Sequence, residues 1–169
     1  MRKMFVKTEN YRKFVSAVKA VEQRGAAEAG MMLVYGVPGL GKSHIVSSWA
    51  AETGAIFLRA NKDWTPRYAL SELAAALEID GRGNSQKLFA RLLKPIAANQ
   101  WPIVIDEAEF TLANQAASLE KIRDISDRAE NTVILIGMGN IQNDIKRYGQ
   151  ISSRIARVVE FLPATLEDV

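Results

Sequence analysis

Residues 36–43 read Gly-Val-Pro-Gly-Leu-Gly-Lys-Ser, a complete match to G-x-x-x-x-G-K-[ST]. No other feature narrows the fold as far, because this spacing makes a phosphate cradle largely from backbone. Gly36, Gly39 and Gly41 let the main chain curl until its N–H groups converge on phosphate oxygens. Lys42 is placed to reach the β- and γ-phosphates, and the Ser43 hydroxyl to ligate Mg²⁺. The helix that begins here turns its positive dipole end to the anion. The flanks agree with the motif. Met31-Met32-Leu33-Val34-Tyr35 is a short apolar run suited to a buried strand. After the loop, Ile45 with Trp49 and Val46 with Ala50 recur at helical spacing. The candidate nucleotide-binding residues are therefore Gly36, Val37, Pro38, Gly39, Leu40, Gly41, Lys42, Ser43 and His44.

A second motif completes the chemistry. Ile103-Val104-Ile105-Asp106-Glu107 is an apolar strand that delivers two carboxylates to its C-terminal end, where ligands of parallel sheets sit. Asp106 can hold Mg²⁺ through water, and Glu107 can polarise a water for in-line attack on a γ-phosphate. A glutamate directly after the metal-site aspartate points to ATPases that carry their own base. The guanine-reading pattern Asn-Lys-x-Asp is missing, since Asn61-Lys62-Asp63 is one residue short. ATP with Mg²⁺ is the expected ligand, and Ser43 and Asp106 are the expected metal residues.

Other polar residues are open to two readings. Asn140, after the run Thr132–Ile136, is either a γ-phosphate sensor or a simple turn residue. Arg154 is either an arginine finger that stabilises transition-state charge in a neighbouring subunit or a surface arginine paired with a carboxylate. Arg147 and Arg157 are its competitors. His44 is the sole histidine and reads as a surface or helix-packing residue. The chain has no cysteine, so disulfides and thiolate metal sites are excluded. No apolar run approaches the roughly 18 residues of a membrane span, and residues 1–7 lack a signal-peptide core. A cytoplasmic protein that avoids membranes is expected. Residues 1–24 hold seven basic side chains against two acidic ones, a face for nucleic acid phosphates or a solvated helix surface.

Periodicity places helices over about 9–24 (N-capped by Thr8), 68–78, 85–94 (ended or kinked by Pro95) and 112–129. Short helices are expected over 140–156. Strands are expected at 31–35, 56–60, 101–105, 132–136 and 158–162. Trp64 reads as a packing anchor. Strands alternating with helices imply an α/β domain with a parallel sheet covered on both faces.

Together these motifs resemble those of the AAA+ ATPases, a branch of the P-loop NTPases whose members carry the catalytic glutamate. More narrowly they resemble the MuB and TnsC-like regulators of DNA transposition. The likeness lies in Phe5-Val6-x-Thr8, the phosphate loop, Asp106-Glu107-Ala108-Glu109, Met138-Gly139-Asn140 and Ser153-Arg154-Ile155-Ala156. It implies a five-stranded parallel sheet in the order 5-1-4-3-2, with ATP between subunits. It further implies a ring or helical filament on double-stranded DNA, held without sequence preference, and a transposase as partner. Glu107, Lys42, Arg154 and Asn140 take the catalytic roles. The 61–67 loop then lies near DNA, where Lys62 and Arg67 are either phosphate contacts or solvated residues. The chain reads as one ATPase core over 1–169, ending at Val169 before the helical lid of that family. Replication helicase loaders of the DnaC and IstB type, and an ATP-gated scaffold with little turnover, are the alternatives.

Overall fold

Three apolar runs with side chains buried on both faces form the centre of the molecule. In β1 (Met31–Tyr35), Met31 and Leu33 enter one apolar cluster, while Met32 and Val34 enter another on the opposite face. β3 (Ile103–Asp106) and β4 (Val133–Gly137) divide in the same way, Ile103, Ile105, Val133 and Leu135 against Val104, Ile134 and Ile136. Strands buried on both faces need helices on both faces. The structure, a computed structural model, describes residues 9–23, 29–39 and 41–163. Helices α1 (Glu9–Glu22) and α2 (Lys42–Thr53) cover one side. Helices α3 (Pro66–Ala76), α4 (Ser85–Asn99) and α5 (Ala113–Ala129) cover the other.

With β2 (Ile56–Arg59) and β5 (Ile155–Glu160) at the edges, the order is β2-β3-β4-β1-β5, and every pairing is parallel. Read from the other edge, this is the expected 5-1-4-3-2. Short helices α6 (Ile141–Ile145) and α7 (Gly149–Ser152) link β4 to β5. Tyr35 is level with Gly137 across the β1–β4 pair, and β3 lies beside β4, so the segments after β1, β3 and β4 leave the sheet at one end. The crevice there lies where strand order reverses.

Several boundaries differ from expectation for identifiable reasons. α3 starts at Pro66, not near 68, because Thr65 caps it by accepting from Tyr68 N at 3.1 Å and proline suits the first helical position. α4 runs through Pro95 to Asn99. A proline costs about 3 kcal/mol in a helix, but Leu88, Leu92 and Ile96 extend one fully buried stripe past it. β3 begins at Ile103 because Pro102 has no N–H to give; its carbonyl still accepts from Ile56 N at 2.8 Å. β5 begins at Ile155, not Val158, with a register irregularity beside Met31 and Met32. As an edge strand it has few buried side chains, and Arg157 interrupts its start, so the apolar signal there is weak.

Before α5 the chain makes a 3₁₀ turn over Ala108–Leu112, and the first turn of α5 is left-handed at Asn114, Gln115 and Ala116, with φ of 52, 58 and 58°. The expected regular helix from 112 is replaced there by a conformation that L-residues adopt only at a cost. Thr8, Phe5 and Val6, the basic residues Arg2, Lys3, Lys7 and Arg24, Leu40 and the last six residues lie outside the described residues. Among the described residues no helix is long and apolar enough to cross a membrane.

The α1–α2 layer includes an aromatic contact, with Phe14 set edge-on to Trp49 at 5.2 Å between ring centroids. Phe14 is completely buried. Phe14→Ala should therefore destabilise the domain by about 3–5 kcal/mol, read from urea unfolding, whereas Arg12→Ala on the exposed face of the same helix should leave the midpoint nearly unchanged.

Candidate functional site

Two glycines set the curl of the loop after β1. Gly39 and Gly41 have φ of 86° and 73°, the left-handed region, and a Cβ at either would meet no atom within 4 Å. Their requirement is conformational, not one of space. Lys42 opens α2 and turns back on the loop, its Nζ donating to Gly36 O and Val37 O, both at 2.9 Å. The side chain is buried, and desolvation lowers its pKa, with Asp106 and Glu109 partly opposing the shift. Lys42 is thus a buried cation whose nearest counter-charges do not offset its burial, a setting that an anionic group would suit. Ser43 and His44 follow on the cavity wall.

At the end of β3, Asp106 is buried, with its Oδ1 accepting from Glu107 N at 2.8 Å and its Oδ2 lying 3.3 Å from Arg59 Nη2. Glu107 adopts φ 53° and ψ 44°. This left-handed step breaks the strand and leaves the Glu107 side chain exposed on the cavity, and among the described residues no cation pairs with it. The 3₁₀ turn then crosses toward β4, where a Glu109 carboxylate oxygen accepts a hydrogen bond from Met138 N.

These parts surround one cavity of about 640 Å³. Phe110 and Met138 stand half-exposed on it. The donor set fits a magnesium-bound nucleotide: a curled loop with a lysine for phosphate, and a hydroxyl at Ser43 and a buried carboxylate at Asp106 for a hard cation. Among the described residues no cluster of His, Cys, Asp or Glu would hold a metal without such a ligand.

The remaining candidates lie apart from this cavity. Asn140 is the exposed N-cap of α6, yet its side chain makes no capping bond; Gly137 and Met138, ahead of it, line the cavity. Arg154 is at the opposite end of the sheet, where its carbonyl accepts from Met31 N at 3.1 Å. Its Nε pairs with Asp127 at 2.9 Å and its Nη1 donates to Gln150 O at 2.6 Å. Arg123 shares Asp127 at 2.7 Å, so two arginines flank one carboxylate. Arg147 and Arg157 are exposed. Lys62 is exposed on a turn closed by Asn61 Oδ1 and Asp63 N at 2.9 Å, which Trp64 anchors from the core. Arg67 donates through Nη2 to Gly81 O at 2.7 Å and Gly83 O at 2.9 Å, so that nitrogen is engaged within the chain.

Sequence reading assigned no role to Arg59 or Glu109. Arg59 closes an otherwise apolar strand, a signal that was visible. Glu109 belongs to the Asp106-Glu107-Ala108-Glu109 motif, but its partner is not readable there, because only the crossing of the 3₁₀ turn brings it to β4.

A family profile described as an AAA domain matches residues 24–143. A search of curated protein sequences finds no match. Among solved structures, the chain resembles the Orc1 protein of Aeropyrum pernix in complex with DNA, at 18% identity and a TM-score of 0.66, over 94% of this chain and 46% of that one. It also resembles Cdc6p of Pyrobaculum aerophilum, at 14% identity and 0.61, over 98% and 49%. A third likeness is to the Drosophila ORC bound to DNA, at 14% identity and 0.61, over 89% and 40%. At these identities the resemblance is one of fold. The chain spans less than half the length of each.

The Arg59–Asp106 contact puts a cation on the carboxylate proposed for Mg²⁺. Removing it with Arg59→Ala should lower the Mg²⁺ concentration that half-saturates binding of a fluorescent ATP analogue by about two- to fivefold, the range for a partly exposed pair. An unchanged midpoint would mean that Arg59 does not compete.

Proposed function

Because the chain belongs to the AAA domain family, we propose that it binds ATP with Mg²⁺ in the cavity over the 36–43 loop, hydrolyses it, and works on double-stranded DNA as an assembly of copies. One observation carries this reading: buried Lys42 from the start of α2, and buried Asp106 with exposed Glu107 from the end of β3, converge on one cavity.

Each group has a task that follows from its setting. The loop amides and Lys42 hold the phosphates, and the dehydrated ammonium gains most from the charge that develops in the transition state. Magnesium, held by Ser43 and Asp106, would neutralise phosphate charge and orient the leaving group. Glu107 faces the cavity and is free to orient and deprotonate a water for attack on the γ-phosphate. Asn140 is proposed as the γ-phosphate sensor, through a shift of the segment that it shares with Met138.

Arg154 and its own phosphate loop lie at opposite ends of the sheet. It serves as a finger for a second copy, presenting the Nη2 edge that neither Asp127 nor Gln150 occupies. Exposed Arg147 and Arg157 are the competitors. For DNA we propose phosphate contacts by Lys62, by the remaining N–H groups of Arg67, and by basic residues of α1 such as Lys13 and Lys19. These are sequence-independent and salt-sensitive.

The process served is proposed to be DNA transposition, in which the assembly selects target DNA and activates a transposase. The support is the resemblance of the Asp106–Glu109, Met138–Asn140 and Ser153–Ala156 segments to the MuB and TnsC-like regulators. The fold shared with Orc1 and Cdc6p is compatible with a second reading, a helicase-loader-like ATPase of replication of the DnaC or IstB type. Pull-downs with a transposase and with a hexameric helicase separate the two. Negative-stain images on DNA with a slowly hydrolysed ATP analogue report ring, filament or neither.

Glu107→Gln should bind ATP with affinity within a few-fold of wild type but lose about a hundredfold or more of its turnover, and should stay longer on DNA. Turnover equal to wild type would remove Glu107 from the chemistry. Lys42→Ala should abolish nucleotide binding, checked by calorimetry. Arg154→Ala should lose turnover only at concentrations where copies assemble; an equal loss in dilute monomer would assign Arg154 to the Asp127 ion pair alone.

A further inference from the structure

The contact between Glu109 and β4 does more than close a turn. Glu109 leaves β3 three residues after Asp106 and crosses to the neighbouring strand. There a carboxylate oxygen accepts from Met138 N, the first amide beyond β4. Gly137 makes the approach possible. A Cβ at that position would come within 2.7 Å of the Glu109 oxygen and would also collide with the Ile141 side chain. The bare Cα is therefore a condition of the contact, and the strand ends in glycine where the carboxylate arrives. A charged acceptor on a backbone amide is among the stronger hydrogen bonds a protein makes.

What it joins matters for the reaction. On one side is the Asp106–Glu107 turn, which holds the proposed base in a left-handed conformation. On the other is the 138–140 segment, with Asn140 two residues beyond the bonded amide. Both Glu109 and Met138 line the cavity.

We propose that Glu109 is a positioning residue, whose carboxylate clamps the Met138 amide and so fixes the Glu107 turn and the Asn140 segment relative to each other across the cavity. Glu109 itself does no bond-making. The proposal rests on the ATPase reading above for its effect on turnover, but the clamp is a structural claim that stands or falls separately. Acceptance needs an oxygen, which charge strengthens but does not create, so glutamine keeps the clamp and alanine breaks it.

The test uses the whole chain in three forms: wild type, Glu109→Gln and Glu109→Ala. Two readouts are taken, amide hydrogen exchange at Met138 and steady-state ATP hydrolysis. In Glu109→Ala the Met138 amide should exchange about tenfold faster or more, the fold-change expected for loss of a hydrogen bond to a charged group. Its kcat should fall by about tenfold or more, with KM within twofold of wild type. Glu109→Gln should stay near wild type in both. Unchanged Met138 exchange in Glu109→Ala overturns the clamp. So does a Glu109→Gln variant as impaired as alanine, which would assign Glu109 to the charge balance of Lys42. If Glu109→Ala fails to fold, Glu109→Gln decides alone, because intact exchange and turnover support the clamp and loss of either overturns it. Absent wild-type turnover would defeat the ATPase reading, while the exchange data would still decide the clamp.

Discussion

The site depends on the pairing of β1 with β4 and of β4 with β3 in parallel. Parallel strands release their C-terminal loops at the same end, and here the three releases are the phosphate loop, the Asp106–Glu107 turn and the Met138 segment. The register is held by side chains buried on both faces. A slip of one residue would exchange Met31 and Leu33 with Met32 and Val34 and disrupt both clusters at once. Hydrophobic burial on each side of the sheet thus brings the three segments to one end, where bonds such as Glu109 to Met138 N join them.

That arrangement explains why the buried charges are tolerated. Lys42 is held by two carbonyls of its own loop, and Asp106 by Arg59 and the Glu107 amide. Each has partners within the chain, yet burial lowers the Lys42 pKa against the opposing pull of Asp106 and Glu109. A buried charge satisfied in part is costly alone and responsive to a ligand of opposite sign. Conformational cost gathers in the same region. Glu107 and residues 114–116 are left-handed on either side of the 3₁₀ turn, and Thr111 Oγ1, donating to Ala108 O at 2.6 Å, secures the turn between them.

The far end of the sheet has a different character. Glu120, Arg123, Asp127 and Arg154 form a chain of ion pairs that ties α5 to the entry of β5. Arg123 and Arg154 are the more sheltered arginines there, with side chains 18% and 17% exposed. This network orients Arg154 while leaving part of its guanidinium uncommitted. Of the two readings open from the sequence, the pairing with a carboxylate is the one observed, and the finger role remains the proposal made above.

Much of this was legible before any coordinates. The glycine spacing of the phosphate loop, the alternation of apolar runs and the strand ending in Asp106-Glu107 are local patterns, and local patterns determine strands, loops and helix starts through sterics and burial. They gave the parallel α/β fold and its strand order, the latter through resemblance, together with Lys42, Ser43, Asp106 and Glu107 as candidates. The sequence misled where tertiary burial outweighed local preference: Pro95 inside α4, the weakly apolar start of β5 and the left-handed turn at 114–116. Tertiary structure alone decided the rest. The Arg59–Asp106, Arg154–Asp127 and Glu109–Met138 contacts join residues far apart in the chain, and Arg67 is partly spent on the 81–83 loop. No periodicity encodes such pairs, because they depend on which strands lie side by side and where each loop leaves the sheet.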